Sequence, residues 1–311
     1  MSDTELSIVA KPDVLDVSQP RVFKPPQHGQ SIHCDGKHYF IGKFLGSGYF
    51  GNVYECSDEW GNPLVAKVLV PRNQTYDEVR ENWLSELKKL HDLRHPNVTF
   101  VHAAFECEDT FYLIIERCWM TLDVVITLEN LQPDRWIPYV ARDVLQALEF
   151  IHSHGYVHKD IHQGNVFVSQ SVDRMVPTKE PVWSFKVGDL GISRLETEMS
   201  AFNTLLAQWM LPPEAIDPAE FGPVGRTIDV YHTALLLLAI LLNRVPSFSR
   251  EEVLQGVPRQ LAEASGSRYG LAIARALRRH VVSRTPTAMN FWRDIDDASR
   301  NALPQIALES D

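Results

Sequence analysis

Short strand-like segments crowd the first third of this chain and helical stretches fill the rest, an order that narrows the fold more than any other feature. HYFIGKFL, NVYECSD, PLVAKVLV and FYLIIERC are rich in aromatic and β-branched residues and are separated by Gly, Asn, Asp or Pro, the texture of strands. One helical stretch, TYDEVRENWLSELKKLHDL, interrupts them. There Trp83, Leu87 and Leu90 recur at spacings of four and three and lay an apolar stripe on one face. Beyond about residue 130 helices dominate, with WIPYVARDVLQALEFIHSHG amphipathic and closed by Gly155. The greasiest run, the nine residues 234–242, is too short for the ~20 needed to span a bilayer and reads as a helix buried on all sides. The expected fold is α+β and bilobal: a small β-rich lobe with one long helix, then a larger, mainly helical lobe. A cleft between lobes is where a small ligand is expected.

The length of 311 residues, with 44% hydrophobic and 23% charged residues, suits one bilobal domain with an ample core. A formal net charge of −10 argues against a nucleic-acid backbone as partner. The four cysteines, Cys34, Cys56, Cys107 and Cys118, form no C-x-x-C pair, which predicts free thiols in a reducing cytoplasm. MSDTELSIVAKPDVLD has no basic start followed by an apolar core, so no secretory signal is expected. Residues 1–36 carry scattered Pro and no periodic apolar face and are expected to be an extended or disordered arm. The folded unit is then expected over 37–300, with lobes at about 37–118 and 119–300, and a tail at 301–311.

Three groups of residues carry chemistry. The first, Gly46-Ser47-Gly48-Tyr49-Phe50-Gly51-Asn52-Val53, is a glycine loop between two predicted strands, where the backbone can approach a phosphate without Cβ obstruction. Strand-like VYECSD follows it, whereas a dinucleotide fingerprint would need a helix there. The second is Lys67 in Val65-Ala66-Lys67-Val68. A lysine inside an apolar strand is costly to bury alone and wants phosphate or carboxylate partners, for which Glu86 on the predicted helix is a candidate. The third is His158-Lys159-Asp160-Ile161-His162-Gln163-Gly164-Asn165, followed by Asp189-Leu190-Gly191.

Taken in order, these pieces resemble the parts of a eukaryotic-type protein kinase. GSGYFGNV resembles its phosphate-covering loop, VAKV the lysine strand, HKDIHQGN the catalytic loop and DLG the magnesium-binding turn. Leu211-Pro212-Pro213-Glu214 resembles the end of the activation segment, Asp229-Val230-Tyr231 the start of the central helix, and Arg284 the late arginine that pairs with Glu214. The likeness runs from about residue 38 to about 298.

The resemblance implies an ATP- and Mg²⁺-dependent phosphotransferase acting on a protein hydroxyl, of Ser or Thr type. It implies that Lys67 holds the α- and β-phosphates and Glu86 holds Lys67, that Asp189 and Asn165 ligate Mg²⁺, and that Asp160 faces the acceptor hydroxyl. Gly46, Ser47, Gly48 and Gly51 would cover the phosphates; Val53, Ala66 and Phe167 would sandwich adenine. Ile115 would gate the back of that pocket, with Glu116 and Cys118 in the hinge segment 116–118. Leu90, His158 and Leu190 match a stack joining the lobes.

Some residues depart from the pattern. Lys159 stands where an arginine is usual, His162 where Ser/Thr kinases place a lysine, and Ala207 where a threonine is expected. Of the activation-segment hydroxyls, Ser193, Thr197, Ser200 and Thr204 are candidate phosphoacceptors, but Lys159 lacks the bidentate fork that clamps a phosphate. The segment QSVDRMVPTKEPVW between Asn165 and Asp189 predicts a lengthened hairpin. DIHQGN also resembles the catalytic loop of small-molecule kinases of the aminoglycoside phosphotransferase type, and a non-catalytic kinase-like scaffold is a third reading. Glu214 and Arg284 oppose the first alternative, and the joint presence of Lys67, Asp160 and Asp189 opposes the second.

Overall fold

The small lobe is set by alternation along its strands and by one well-capped helix. The computed structural model describes residues 21–34, 36–48, 51–128, 131–172, 181–191, 193–199 and 211–300. Strands β1 (Ser31–Cys34), β2 (Lys37–Ser47), β3 (Gly51–Asp58), β4 (Pro63–Leu69), β5 (Val101–Cys107) and β6 (Thr110–Glu116) form one six-stranded sheet in the order β1-β2-β3-β4-β6-β5. Helix α1 (Tyr76–Asp92) lies between β4 and β5 in sequence. Thr75 starts it with a capping box: its hydroxyl accepts from the Glu78 N–H while the Glu78 carboxylate accepts from the Thr75 N–H.

Period-two alternation gives the sheet two apolar faces. Ala66, Val68, Tyr54, Tyr112 and Ile114 fill a core on the outer face, and the partly buried Phe23 packs against it. Trp83 and Leu90 of α1 belong to the larger core that continues into the second lobe, and Leu87 packs against it from the rim. Trp83 also donates its indole N–H to the Tyr112 carbonyl at 3.1 Å, which ties α1 to β6.

The stretch before β1 is laid along this lobe. The Lys24 N–H donates to the Thr110 hydroxyl at 3.1 Å, the Gly29 N–H to the Ile41 carbonyl at 2.8 Å, and the Arg21 guanidinium lies 3.8 Å over the Tyr76 ring. Residues 1–20 of the predicted arm and the whole of the predicted tail, 301–311, lie outside the described residues.

The larger lobe follows through β7 (Met120–Thr121), α2 (Leu122–Ile126), α3 (Pro133–Ser153), β8 (Tyr156–Val157), β9 (Val166–Val172), β10 (Pro181–Val187) and β11 (Arg194–Leu195). Helices α4 (Pro213–Ile216), α5 (Pro218–Phe221), α6 (Thr227–Leu241), α7 (Arg250–Gln255), α8 (Val257–Ala264), α9 (Gly270–Ala276) and α10 (Ala288–Arg300) complete it. The apolar run of the sequence is α6, buried at every residue from Ile228 to Ile240 and flanked by α3 and α9. Among the described residues no helix is long and apolar enough to cross a membrane. Strands β9 and β10 pair antiparallel from Val166–Val187 out to Val172–Pro181; the turn of the predicted hairpin, 173–180, lies outside the described residues. A β-rich lobe joined to a helical one, with the turns after β8 and β10 facing the sheet, is the bilobal α+β architecture expected above.

Candidate active site

The site is built where strand β4, helix α1 and the turn after β10 converge. Lys67 sits mid-strand, opposite Val53 on β3 and Leu113 on β6. Its ammonium lies 2.7 Å from Glu86 Oε1 and 2.9 Å from Asp189 Oδ1, with the lysine only 7% exposed. Burial alone would lower the Lys67 pKa, but the Asp189 and Glu86 carboxylates outweigh it and hold the ammonium charged well above its ordinary range. Burial works against the Asp189 carboxylate in turn. The neighbouring Lys67 charge, with hydrogen bonds from Lys67 and the Gly191 N–H, nevertheless holds its pKa below the usual value. The Asp189 backbone is in the left-handed region, φ 59°, and Gly191 N–H donates to Oδ1 at 3.3 Å.

The loop 158–165 is fixed from below by α6. Asp229, fully buried, accepts the His158 and Lys159 N–H groups at 2.8 and 2.7 Å, and its Oδ2 also meets His152 Nε2 at 2.8 Å. His158 Nδ1 accepts the Asp160 N–H at 3.2 Å, so Nε2 carries the proton and donates to the Gly188 carbonyl at 3.0 Å. Asn165 Nδ2 donates to the Asp160 carbonyl and to Asp160 Oδ2, both at 3.0 Å. The other carboxylate oxygen, Asp160 Oδ1, is buried and accepts no hydrogen bond. The His162 Nε2 stands 3.6 Å from it. Burial raises the Asp160 pKa, His162 acting against that, and burial lowers the His162 pKa.

The glycine loop closes over the cleft from β2 and β3. The Gly48 N–H donates to the Gly51 carbonyl at 2.8 Å, and Arg72 Nη2 donates to the Gly48 carbonyl at 2.7 Å. A Cβ on Gly51 would stand 2.3 Å from the Val68 carbonyl oxygen, whereas one on Gly46 would meet nothing within 4 Å. Tyr49 and Phe50 lie outside the described residues.

The family model for the protein kinase domain matches residues 39–281. The chain belongs to the protein kinase domain family. Similar relatives include the cell cycle serine/threonine-protein kinase CDC5/MSD2 of Saccharomyces cerevisiae, 23% identical over 223 residues, 71% of this chain and 30% of that protein. The serine/threonine-protein kinase PLK2 of Mus musculus is 24% identical over 215 residues, 68% of this chain and 30% of that protein. Calcium-dependent protein kinase 24 of Arabidopsis thaliana is 27% identical over 247 residues, 76% of this chain and 40% of that protein. The chain thus spans less than half the length of each of these relatives.

Within this kinase domain most residues singled out from the sequence converge. Lys67, Glu86 and Asp189 are in contact, and Asp160 and Asn165 are bonded to each other. The Gly188 N–H joins the two groups by donating to the Asn165 carbonyl at 3.0 Å. Val53, Ile115 and Phe167 are half-buried. Glu116 uses its side chain as well as its backbone: the carboxylate receives Lys186 Nζ at 2.8 Å on both oxygens and the Phe100 N–H at 2.7 Å. Cys118 is half-buried, its thiol pushed up to about 12 by burial and by Glu116. Leu90 and Leu190 belong to the large core, and His158 is fully buried.

Ala66 is a correction. A strand alternates its faces, so the residue next to Lys67 points away from the cleft, and Ala66 is fully buried in the outer core. The cleft-side neighbour is Val65, two residues from Lys67, half-buried and paired with Ile115. Ser193 differs as well: it is fully buried with its hydroxyl donated to the Leu190 carbonyl at 2.7 Å, so it is no open phosphoacceptor. Thr197 is exposed, and Ser200, Thr204 and Ala207 lie outside the described residues.

Far from the cleft, Glu214 and Arg284 form a fully buried ion pair with contacts of 2.5 and 2.7 Å. Arg284 also donates to the carbonyls of Thr227, Arg278 and Arg279 and lies 4.8 Å from the Tyr231 ring centroid.

Proposed function

We propose that this kinase domain transfers the γ-phosphoryl group of ATP, with Mg²⁺, to a serine or threonine hydroxyl of a protein. The observation that carries the proposal is Asp160 Oδ1, a buried acceptor without a hydrogen-bond donor on a carboxylate whose other oxygen is held by Asn165; Gln163 Oε1 is a second such acceptor in the same loop. A buried acceptor left unmatched costs free energy unless an incoming group matches it, and a substrate hydroxyl supplies that donor.

In this reading Asp160 orients the hydroxyl and accepts its proton. Asn165 keeps the Asp160 carboxylate turned by bonding its other oxygen. Lys67, held by Glu86, presents its charge to the α- and β-phosphates, and the backbone from Gly46 through Ser47 and Gly48 to Gly51 covers them. Asp189 and the Asn165 amide oxygen are hard donors that fit Mg²⁺, which when bound neutralises charge on the phosphate oxygens. Val53, Val65, Ile115 and Phe167 offer adenine an apolar slot, and the backbone at 116–118 its hydrogen bonds. Catalysis is then positioning and electrostatic stabilisation, with little covalent work for the protein.

The likeness to serine/threonine-protein kinases supports the choice of acceptor. The buried Glu214–Arg284 pair supports a protein over a small-molecule acceptor, because it braces the segment on which a polypeptide would lie. No disulfide joins the four cysteines, as fits a cytoplasmic setting. The test is incubation with Mg²⁺ and γ-labelled ATP, with protein acceptors in one arm and aminoglycosides and choline in the other. Label on Ser or Thr of protein is the expected result; label on the small molecules alone would replace this reading with a small-molecule kinase.

A further inference from the structure

The sequence around Glu86 hides a second lysine with a position of its own. Lys89 is three residues on from Glu86, hence on the same face of α1, and only 9% exposed. Its ammonium reaches the Leu190 carbonyl at 3.3 Å and the Gly191 carbonyl at 3.5 Å, the two residues that follow Asp189. Helix α1 therefore grips the Asp189 turn twice, through Glu86 and Lys67 on its carboxylate side and through Lys89 on the backbone beyond it.

A buried ammonium is costly, and an apolar side chain of the same length would pack there at lower cost. The carbonyls that repay the burial face Lys89 only while the turn follows this path. That path needs support, because Asp189 holds a left-handed backbone, a conformation disfavoured for a side-chain-bearing residue. His158 and Asn165 fix Gly188 on one side of Asp189, and Lys89 and Ser193 both bond the Leu190 carbonyl on the other.

We infer that Lys89 is a positioning residue: it makes the inward seat of α1 and the inward path of the Asp189 turn depend on each other, and so presents Asp189 to the metal–nucleotide complex. The inference rests on the proposed function for the identity of that complex, and on geometry alone for the coupling.

The test compares Lys89→Met with Lys88→Met, an exposed neighbour on the same helix. Three quantities are read in the full chain: melting temperature, affinity for a non-hydrolysable ATP analogue with and without Mg²⁺, and amide hydrogen exchange over 188–193. Removing hydrogen bonds from a charged donor predicts an affinity for the Mg²⁺ complex about tenfold weaker in Lys89→Met. Metal-free affinity should change less than about twofold, and exchange over 188–193 should quicken, while the melting temperature holds or rises. A lysine that only packs would shift melting without separating metal-bound from metal-free affinity. Equal exchange and equal Mg²⁺-complex affinity in the two variants overturn the inference. Should Lys89→Met not fold, Lys89→Leu, which likewise has no donor, is read the same way against Lys88→Met. None of these readouts needs phosphoryl transfer, so a wild-type chain without transfer activity would sink the proposed function and leave this inference to be judged on exchange.

Discussion

Lys67 on β4 and Glu86 on α1 meet at 2.7 Å where neither side chain is as much as a tenth exposed. The pair joins sheet to helix, and the same ammonium reaches Asp189 at 2.9 Å. Glu86→Gln keeps the shape and removes the charge, so Lys67 should swing toward Asp189. Initial rates of phosphoryl transfer should fall about tenfold or more, the scale of losing a charge-assisted hydrogen bond. Wild-type rates in that variant would mean that Glu86 does not position Lys67.

Gly188 precedes Asp189 in a space without room for a methyl group. A Cβ there would stand 2.6 Å from Phe167 Cε2 and 3.0 Å from the Thr99 side chain. Gly188→Ala should displace the Phe167 ring and weaken adenine nucleotides, with little effect on free pyrophosphate. Calorimetric titration of both ligands checks this, and an equal loss for both would point instead to a general collapse of the turn.

The Glu214–Arg284 pair is buried completely, and removing one partner of such a pair typically costs ~3–5 kcal/mol. Glu214→Ala or Arg284→Ala should each lower the melting temperature by several degrees, because the remaining charge has no solvent. Replacing both with apolar residues of similar volume should lose less than the sum of the two. A thermal double-mutant cycle measures the coupling, and additive losses would deny it.

Asp143 on α3 accepts the Phe185 N–H at 2.9 Å, and burial raises its pKa, with that hydrogen bond, Arg142 and His95 opposing. A raised folded-state pKa favours the native state fully below the unfolded value, ~3.9, and that advantage is lost as pH rises through the folded value. At neutral pH the charged Asp143 is therefore a liability. Asp143→Asn keeps an acceptor for Phe185 and should melt higher than wild type at pH 7, with the gain shrinking toward pH 4. A constant difference across that range would show that Asp143 titrates alike in both states.

How much of this was legible in the sequence varies with the reach of each signal. That Lys67 would meet Asp189, and Asn165 meet Asp160, was legible because few residue types suit such charged and polar positions, and because the two lobes follow from strand and helix texture. The α6 run was legible from its unbroken apolar composition. Register was harder: Ala66 and Val65 differ by one residue, and only the pairing of Val65 with Ile115 and of Lys67 with Val53 fixes which faces the cleft. Lys89 was not legible, since a lysine on an amphipathic helix reads as solvent-facing until the Leu190 carbonyl is seen beside it. The docking of residues 21–30 was hidden for a similar reason. Lys24 bonds Thr110 across 86 residues, and no local pattern announces such a contact.

In the proposed function Asp160 handles the acceptor hydroxyl while Lys67 and Asp189 handle the nucleotide. The most direct measurement is phosphoryl transfer to protein by purified Asp160→Asn beside its affinity for the Mg²⁺ complex of an ATP analogue. Transfer should fall by roughly 10²-fold or more, the scale of losing a catalytic base, with the analogue bound as tightly as by wild type. Undiminished transfer by Asp160→Asn would contradict it.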